Sequence, residues 1–131
     1  MEMNKYEGQE RRKFKRLRVD FVVNFNVHKP IEVVMKIGNK EIDAVMTDLS
    51  EGGMALIADY DIPTSTILSM RFTLFNPLAL EDDRVRKLEV IGEVRYNALL
   101  QKEEHRLGIL FTHIHESDRK AIASFVRFTR K

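Results

Sequence analysis

The sequence predicts an all-β fold, an antiparallel barrel or sandwich with one α-helix at its carboxyl end. About seven segments alternate apolar and polar residues, the period of a strand with one buried face. Short links or loops join these segments, which favours antiparallel pairing, and a barrel would remove exposed strand edges. Near the end of the chain the apolar period changes to that of an amphipathic helix.

The predicted strands follow the alternation along the chain and cover residues 17–27, 31–37, 42–46, 54–58, 68–74, 88–96 and 107–111. The tripeptide "GNK" after the second segment predicts a tight hairpin turn. In the sixth segment, Tyr96 falls on the same face as Gly92 and Val94, which predicts that it points inward. Residues 76–87 carry proline and mixed charge, so they predict a break between strands.

The closing helix shows both a start signal and an apolar face. Ser117 is a candidate N-cap. Ala121, Ile122, Phe125 and Val126 then lie on one side of the predicted helix, which would cover an open end or flank of the strands.

Composition limits the class of protein. The 131 residues suit one domain with a single core, and the net charge is only +2. The chain has no cysteine, which excludes disulfides, thiol catalysis and thiolate metal sites. No apolar run approaches membrane-spanning length, and the first ten residues lack an apolar signal core. We therefore expect a cytoplasmic protein without a membrane span.

Positive charge is concentrated near the amino terminus. Six of the eight residues from Arg11 to Arg18 are Arg or Lys. Because the chain is not globally basic, this predicts a local anion site at a flexible basic arm. Residues 1–9 are polar and carry no periodicity, so we expect a disordered tail there and a single domain over residues 10–131.

Two motifs together resemble the PilZ domain family. That family carries an R-x-x-x-R arm before its first strand, matched here by Arg12 and Arg16. It also carries a D/N-x-S-x-x-G loop after its third strand, matched in "DLSEGG" by Asp48, Ser50 and Gly53. The segment "RLGILF" before the closing helix is also similar to the end of the family. The resemblance covers nearly the whole chain from about residue 10.

The resemblance implies a fold and a function. PilZ domains are six-stranded antiparallel β-barrels, so one of the seven strand signals would be a loop or an accessory strand. They bind the bacterial second messenger cyclic di-GMP and contain no catalyst, so we expect neither an enzyme nor a cofactor. Binding in the family changes the conformation of the arm. With no second domain in this chain, the resemblance implies a signal to a protein partner in trans.

The implied ligand-binding residues are Arg11, Arg12, Arg16, Asp48, Ser50 and Gly53. A guanidinium can grip a phosphate or the O6/N7 edge of guanine with two parallel hydrogen bonds. An aspartate accepts from guanine N–H donors, and a serine hydroxyl adds a further bond. Glycine allows a positive φ or a close approach to a base. In the family, a basic residue where Arg11 stands tends to accompany two intercalated ligands, so we expect two per site.

Two other functions remain open from the sequence. An OB-like barrel could bind single-stranded nucleic acid, but Phe21, Phe25, Phe72 and Phe111 fall on the inward face and leave no stacking platform. A protein-interaction module could also keep the fold without a ligand.

The pair His113 and His115 lacks a third metal ligand nearby, so we expect no metal site there.

Overall fold

The computed structural model describes residues 17–75 and 84–129, and the side chains of residues 19–75 and 84–127. Within these ranges the chain forms six strands and two helices. In chain order they are β1 (Leu17–Lys29), α1 (Ile31–Ile37), β2 (Ile42–Ser50), β3 (Gly53–Ala58), β4 (Ile67–Phe75), β5 (Val85–Gln101), β6 (Glu104–His113) and α2 (Glu116–Thr129).

The strands close into one antiparallel barrel in the order β1-β2-β3-β6-β5-β4. This confirms the predicted six-stranded barrel with a carboxyl-terminal helix. The break predicted over residues 76–87 is too long, because residues 85–87 belong to β5, whereas residues 76–83 lie outside the described ranges.

The barrel interior is built by alternation along the strands. On β1, Val23, Phe25 and Val27 point inward and are almost fully buried, while Val22 points outward and is exposed. The same period buries one face of β2, β4 and β5. The largest fully buried side chains are Phe25, Met46, Leu49, Leu56, Ile62, Leu68, Met70, Leu107 and Ile122. Burial of this apolar surface is the main stabilising contribution to the fold.

The segment predicted as the second strand is instead the helix α1. Its core-facing residues are Val33, Val34 and Ile37, which are spaced for a helix rather than for a strand. Met35, inward in the strand prediction, is 79% exposed. The predicted "GNK" hairpin turn is also wrong. Gly38 ends the helix with φ 106°, and its N–H donates to the carbonyl of Val34 at 2.7 Å.

Helix α2 packs its apolar face on the barrel. Ile122, Phe125 and Val126 are buried, and the ring of Phe125 lies 5.7 Å from that of Phe21. The helix begins one residue before the predicted cap Ser117, because the carbonyl of His115 accepts the first backbone hydrogen bonds. Across the described ranges, no helix is long and apolar enough to span a membrane.

Candidate functional site

The candidate site lies on the outer surface of the barrel, where β2 turns into β3. Asp48 and Ser50 belong to the end of β2, and Gly53 begins β3. The other three predicted ligand-binding residues, Arg11, Arg12 and Arg16, lie outside the described residues, as does the predicted disordered tail 1–9.

The start of β1 lies beside the end of β2. Leu17 pairs with Leu49, and Arg18 pairs with Asp48. The backbone therefore enters the barrel next to the "DLSEGG" turn.

Asp48 makes an ion pair with a residue from a strand that is not its neighbour. The Nη2 atom of Arg106 on β6 donates to Oδ2 of Asp48 at 2.5 Å. Strand β3 lies between β2 and β6, so the contact crosses it on the outside of the barrel. The two side chains are partly buried, with 15% of Asp48 and 34% of Arg106 exposed. A charge-assisted bond in such a position is stronger than a surface ion pair.

Arg106 also contacts the adjacent strand β5. Its Nε donates to the hydroxyl of Tyr96 at 3.3 Å. This hydrogen bond raises the pKa of Arg106, and the negative charge of Asp48 raises it further, whereas partial burial acts in the opposite direction. Arginine is a cation at every working pH, and these contacts stabilise that cation further.

Tyr96 points outward, contrary to the prediction from alternation. The pairing advances from Val94 with Ile109 to Tyr96 with Gly108, so Arg95 is an extra residue, as in a β-bulge. The bulge rotates Tyr96 to the outer face, where it is 39% exposed. A Cβ on Gly108 would overlap the Tyr96 ring, so the ring lies directly on the backbone of β6.

The hydroxyl of Ser50 is hydrogen-bonded to the backbone of the β2–β3 turn. Its Oγ accepts from the N–H of Gly52 at 3.2 Å and donates to the carbonyl of Gly53 at 3.4 Å. The hydroxyl is therefore engaged by the turn backbone, as is common for serine in turns. The N–H of Phe111 on β6 donates to the carbonyl of Gly52 at 2.8 Å and ties the turn to the barrel.

Gly53 is needed for a close strand approach rather than for a positive φ. Among the described glycines only Gly38 has a positive φ. A Cβ at position 53 would collide with the carbonyl oxygen of Ile109 on β6. The structure therefore gives this glycine a packing role that is independent of any bound base.

The sequence patterns indicate no role for Arg106 or Tyr96 in the site. The signal for Arg106 was present in "RLGILF", where it stands two residues before Gly108 and therefore on the same face of a strand. Tyr96 could not be found by alternation, because the bulge at Arg95 reverses its direction.

No group of three or more metal-ligating side chains occurs within the part of the chain that the structure describes.

The closed six-stranded antiparallel barrel with a carboxyl-terminal helix places the chain in a class of small β-barrel domains. The chain belongs to the PilZ domain family, whose model matches residues 10–128. A search of curated proteins gave no match.

Solved structures share the fold. The chain is similar to the Bacillus subtilis inhibitor of motility MotI/DgrA, with 20% identity, a TM-score of 0.68 and 92% of this chain covered. It spans only about half of that protein's length, 54%. The PilZ domain of Escherichia coli YcgR, solved with c-di-GMP, has 14% identity and a TM-score of 0.55, with 92% of this chain and 95% of the other covered. Borreliella burgdorferi PlzA, also solved with c-di-GMP, has 15% identity and a TM-score of 0.50, with 94% and 44% covered. These likenesses show the fold.

Proposed function

We propose that this chain is a receptor for cyclic di-GMP in the bacterial cytoplasm and has no catalytic activity of its own. The observation that carries the proposal is the pairing of Arg18 with Asp48, in a chain that belongs to the PilZ domain family. It brings the point where the basic arm joins β1 next to the acidic residue of the second motif. Relatives of the same fold, YcgR and PlzA, were solved with c-di-GMP.

The covalent chain length supports a shared pocket. Arg16 directly precedes Leu17, which pairs with Leu49. Arg12 is five residues before Leu17. An extended chain of that length spans at most about 17 Å. Arg12 can therefore lie no farther than this from Leu17, and a bound dinucleotide could contact both Arg12 and Asp48.

The chemistry of the site suits a guanine-bearing dianion. The guanidinium groups of Arg12 and Arg16 would bind phosphate or guanine O6 and N7 in a bidentate manner. The carboxylate of Asp48 would accept from guanine N–H groups. Gly53 and the self-bonded Ser50 would act mainly by holding the β2–β3 turn in place, since Ser50 already bonds to the turn.

Ligand binding would order the arm. Like charges from Arg11 to Arg18 repel one another, and a dianion removes that repulsion, so the arm folds over the barrel rim. The reshaped surface would then contact a protein partner in trans. Ordering the arm consumes part of the gross binding free energy. Arg11 would place a second ligand against the first, giving two cyclic di-GMP molecules per site.

Isothermal titration with cyclic di-GMP tests the proposal. We expect saturable binding at two ligands per chain, and a loss of about tenfold or more in affinity for each of Arg12→Ala, Arg16→Ala and Asp48→Asn, because each removes a charge-assisted bond. Arg84→Ala is the matched control, since Arg84 is exposed before β5, far along that strand from Tyr96. Full affinity in all three site variants would contradict the proposed site, and a plateau at one ligand would contradict the stoichiometry.

The two other functions are tested by the same preparation. Phe25, Phe72 and Phe111 are buried, so they give a single-stranded nucleic acid no stacking platform. A thermal shift with cyclic di-GMP but not with GMP or an oligonucleotide would favour the receptor. No shift with any of them would favour an interaction module that works without a ligand.

A further inference from the structure

The side chains of Asp48, Arg106 and Tyr96 form one connected group across three strands. We propose that Arg106 is a positioning and specificity-determining residue, which fixes Asp48 and Tyr96 as a preformed recognition surface for guanine. The inference rests on the proposed function and adds to it two residues outside both sequence motifs.

The ion pair with Arg106 orients the carboxylate of Asp48. Arg106 bonds to Oδ2, and among the described residues no hydrogen bond to Oδ1 is found, so Oδ1 keeps its acceptor capacity for a ligand there. Because the pair is partly buried, the carboxylate is held in one rotamer before any ligand arrives. A group that is already fixed loses less conformational freedom on binding, which strengthens binding without any added contact.

The pair of Asp48 and Arg106 can also distinguish guanine from adenine. The Watson–Crick edge of guanine presents two N–H donors next to the O6 acceptor. A carboxylate beside a guanidinium presents acceptors next to donors, which is the complementary order. Adenine presents an acceptor and a single donor in the reverse order. Asp48 and Arg106, joined at 2.5 Å, therefore favour guanine over adenine.

Tyr96 adds an aromatic ring beside this pair. One side of its ring lies on the backbone at Gly108, and its hydroxyl is held by Arg106, so the ring is fixed in place. It remains 39% exposed on the same outer face as Asp48. A fixed, exposed aromatic ring is a stacking surface for a base, and such stacking commonly changes affinity about tenfold.

The experiment compares cyclic di-GMP with cyclic di-AMP by calorimetry. Arg106→Met keeps an unbranched apolar stem and removes the charge and the hydrogen-bond donors. We expect the affinity of this variant for cyclic di-GMP to fall about tenfold or more, because a lost charge-assisted bond has that size. The ratio of its affinities for cyclic di-GMP and cyclic di-AMP should become smaller. Tyr96→Ala should lower the affinity similarly, whereas Tyr96→Phe, which keeps the ring, should lower it less.

Arg86→Met is the matched control. Arg86 also forms an ion pair, with Asp118 of α2 at 2.9 Å, and its side chain is 34% exposed like that of Arg106. It lies ten residues before Tyr96 on β5, so its loss should leave affinity and base preference unchanged. A purely structural role for Arg106 would lower the melting temperature without narrowing the base preference.

The outcomes separate the inference from the proposed function. If the wild-type chain binds cyclic di-GMP and Arg106→Met keeps both its affinity and its base preference, the inference is overturned and the receptor function stands. If the wild-type chain does not bind cyclic di-GMP, both are overturned. Should Arg106→Met not fold, Arg106→Lys decides, because lysine keeps the charge but lacks the planar fork that reaches two partners.

Discussion

Ala55 shows how single side chains build this site. It stands on β3 between Asp48 and Gly108 in the register, and only 1% of its surface is exposed although its neighbours Met54 and Leu56 take the inward positions. The ion pair from Asp48 to β6 has to pass over β3 at this point. A small residue leaves room for that contact.

We therefore predict that Ala55→Leu separates Asp48 from Arg106. The added atoms would occupy the space between β2 and β6, so affinity for cyclic di-GMP should fall about tenfold or more, the size of a lost charge-assisted bond. Calorimetry gives the affinity, and circular dichroism verifies that the barrel persists. Thr73→Leu, on the exposed face of β4, is the matched control. Unchanged binding in Ala55→Leu would mean that the ion pair is not needed.

One part of the site is predictable from the sequence, and the other part is not, for a physical reason. Asp48 and Ser50 belong to a motif whose spacing can be recognised within six letters of sequence. Arg106 is 58 residues from Asp48, and only the closed barrel brings them together. Alternation predicts the wrong face for Tyr96, because a β-bulge has no marker in the alternation itself.

At the scale of elements, the strands were predictable and the short helix α1 was not. Six of the strand signals correspond to strands, because one face of each is buried and the other is exposed. In α1, five of the seven residues are apolar, so a period of two and a helical period both fit its sequence. The tertiary contacts decide between them, since Val33 and Ile37 meet the core while Met35 does not.

Two substitutions in α1 distinguish the helix from the predicted strand. Val33→Ala should lower the free energy of unfolding by about 1–3 kcal/mol, because it removes buried methyl groups. Met35→Ala should change it by less than about 0.5 kcal/mol, because Met35 is exposed. Denaturant unfolding measures both. Similar losses in the two variants would support a strand with both residues inward and contradict the helix.

At the scale of the whole molecule, the cluster of positive charge and the apolar core belong to different parts of the sequence. The core is apolar and the net charge is only +2, so salt should affect stability little. The basic arm carries the concentrated charge, and salt screens it strongly as the Debye length falls from about 10 Å at 0.1 M to about 3 Å at 1 M.

We therefore predict that ligand affinity falls steeply with added sodium chloride while the melting temperature of the free chain barely changes. Titrations at several salt concentrations give the slope, and Arg12→Ala should make it shallower because one cation is lost from the arm. If the affinity of Arg12→Ala depends on salt concentration as steeply as that of the wild-type chain, Arg12 does not contact the charge of the ligand.

The contact between Asp48 and Arg106 also predicts the stage of synthesis at which the chain becomes able to bind its ligand. A nascent chain that has emerged only as far as β5 already carries the acidic partner, but its cationic partner on β6 has not yet been translated. Ribosome-bound chains arrested before Arg106 should accordingly be unable to capture the second messenger tightly. Competence would arise late, in the same step that joins β6 to its two neighbouring strands.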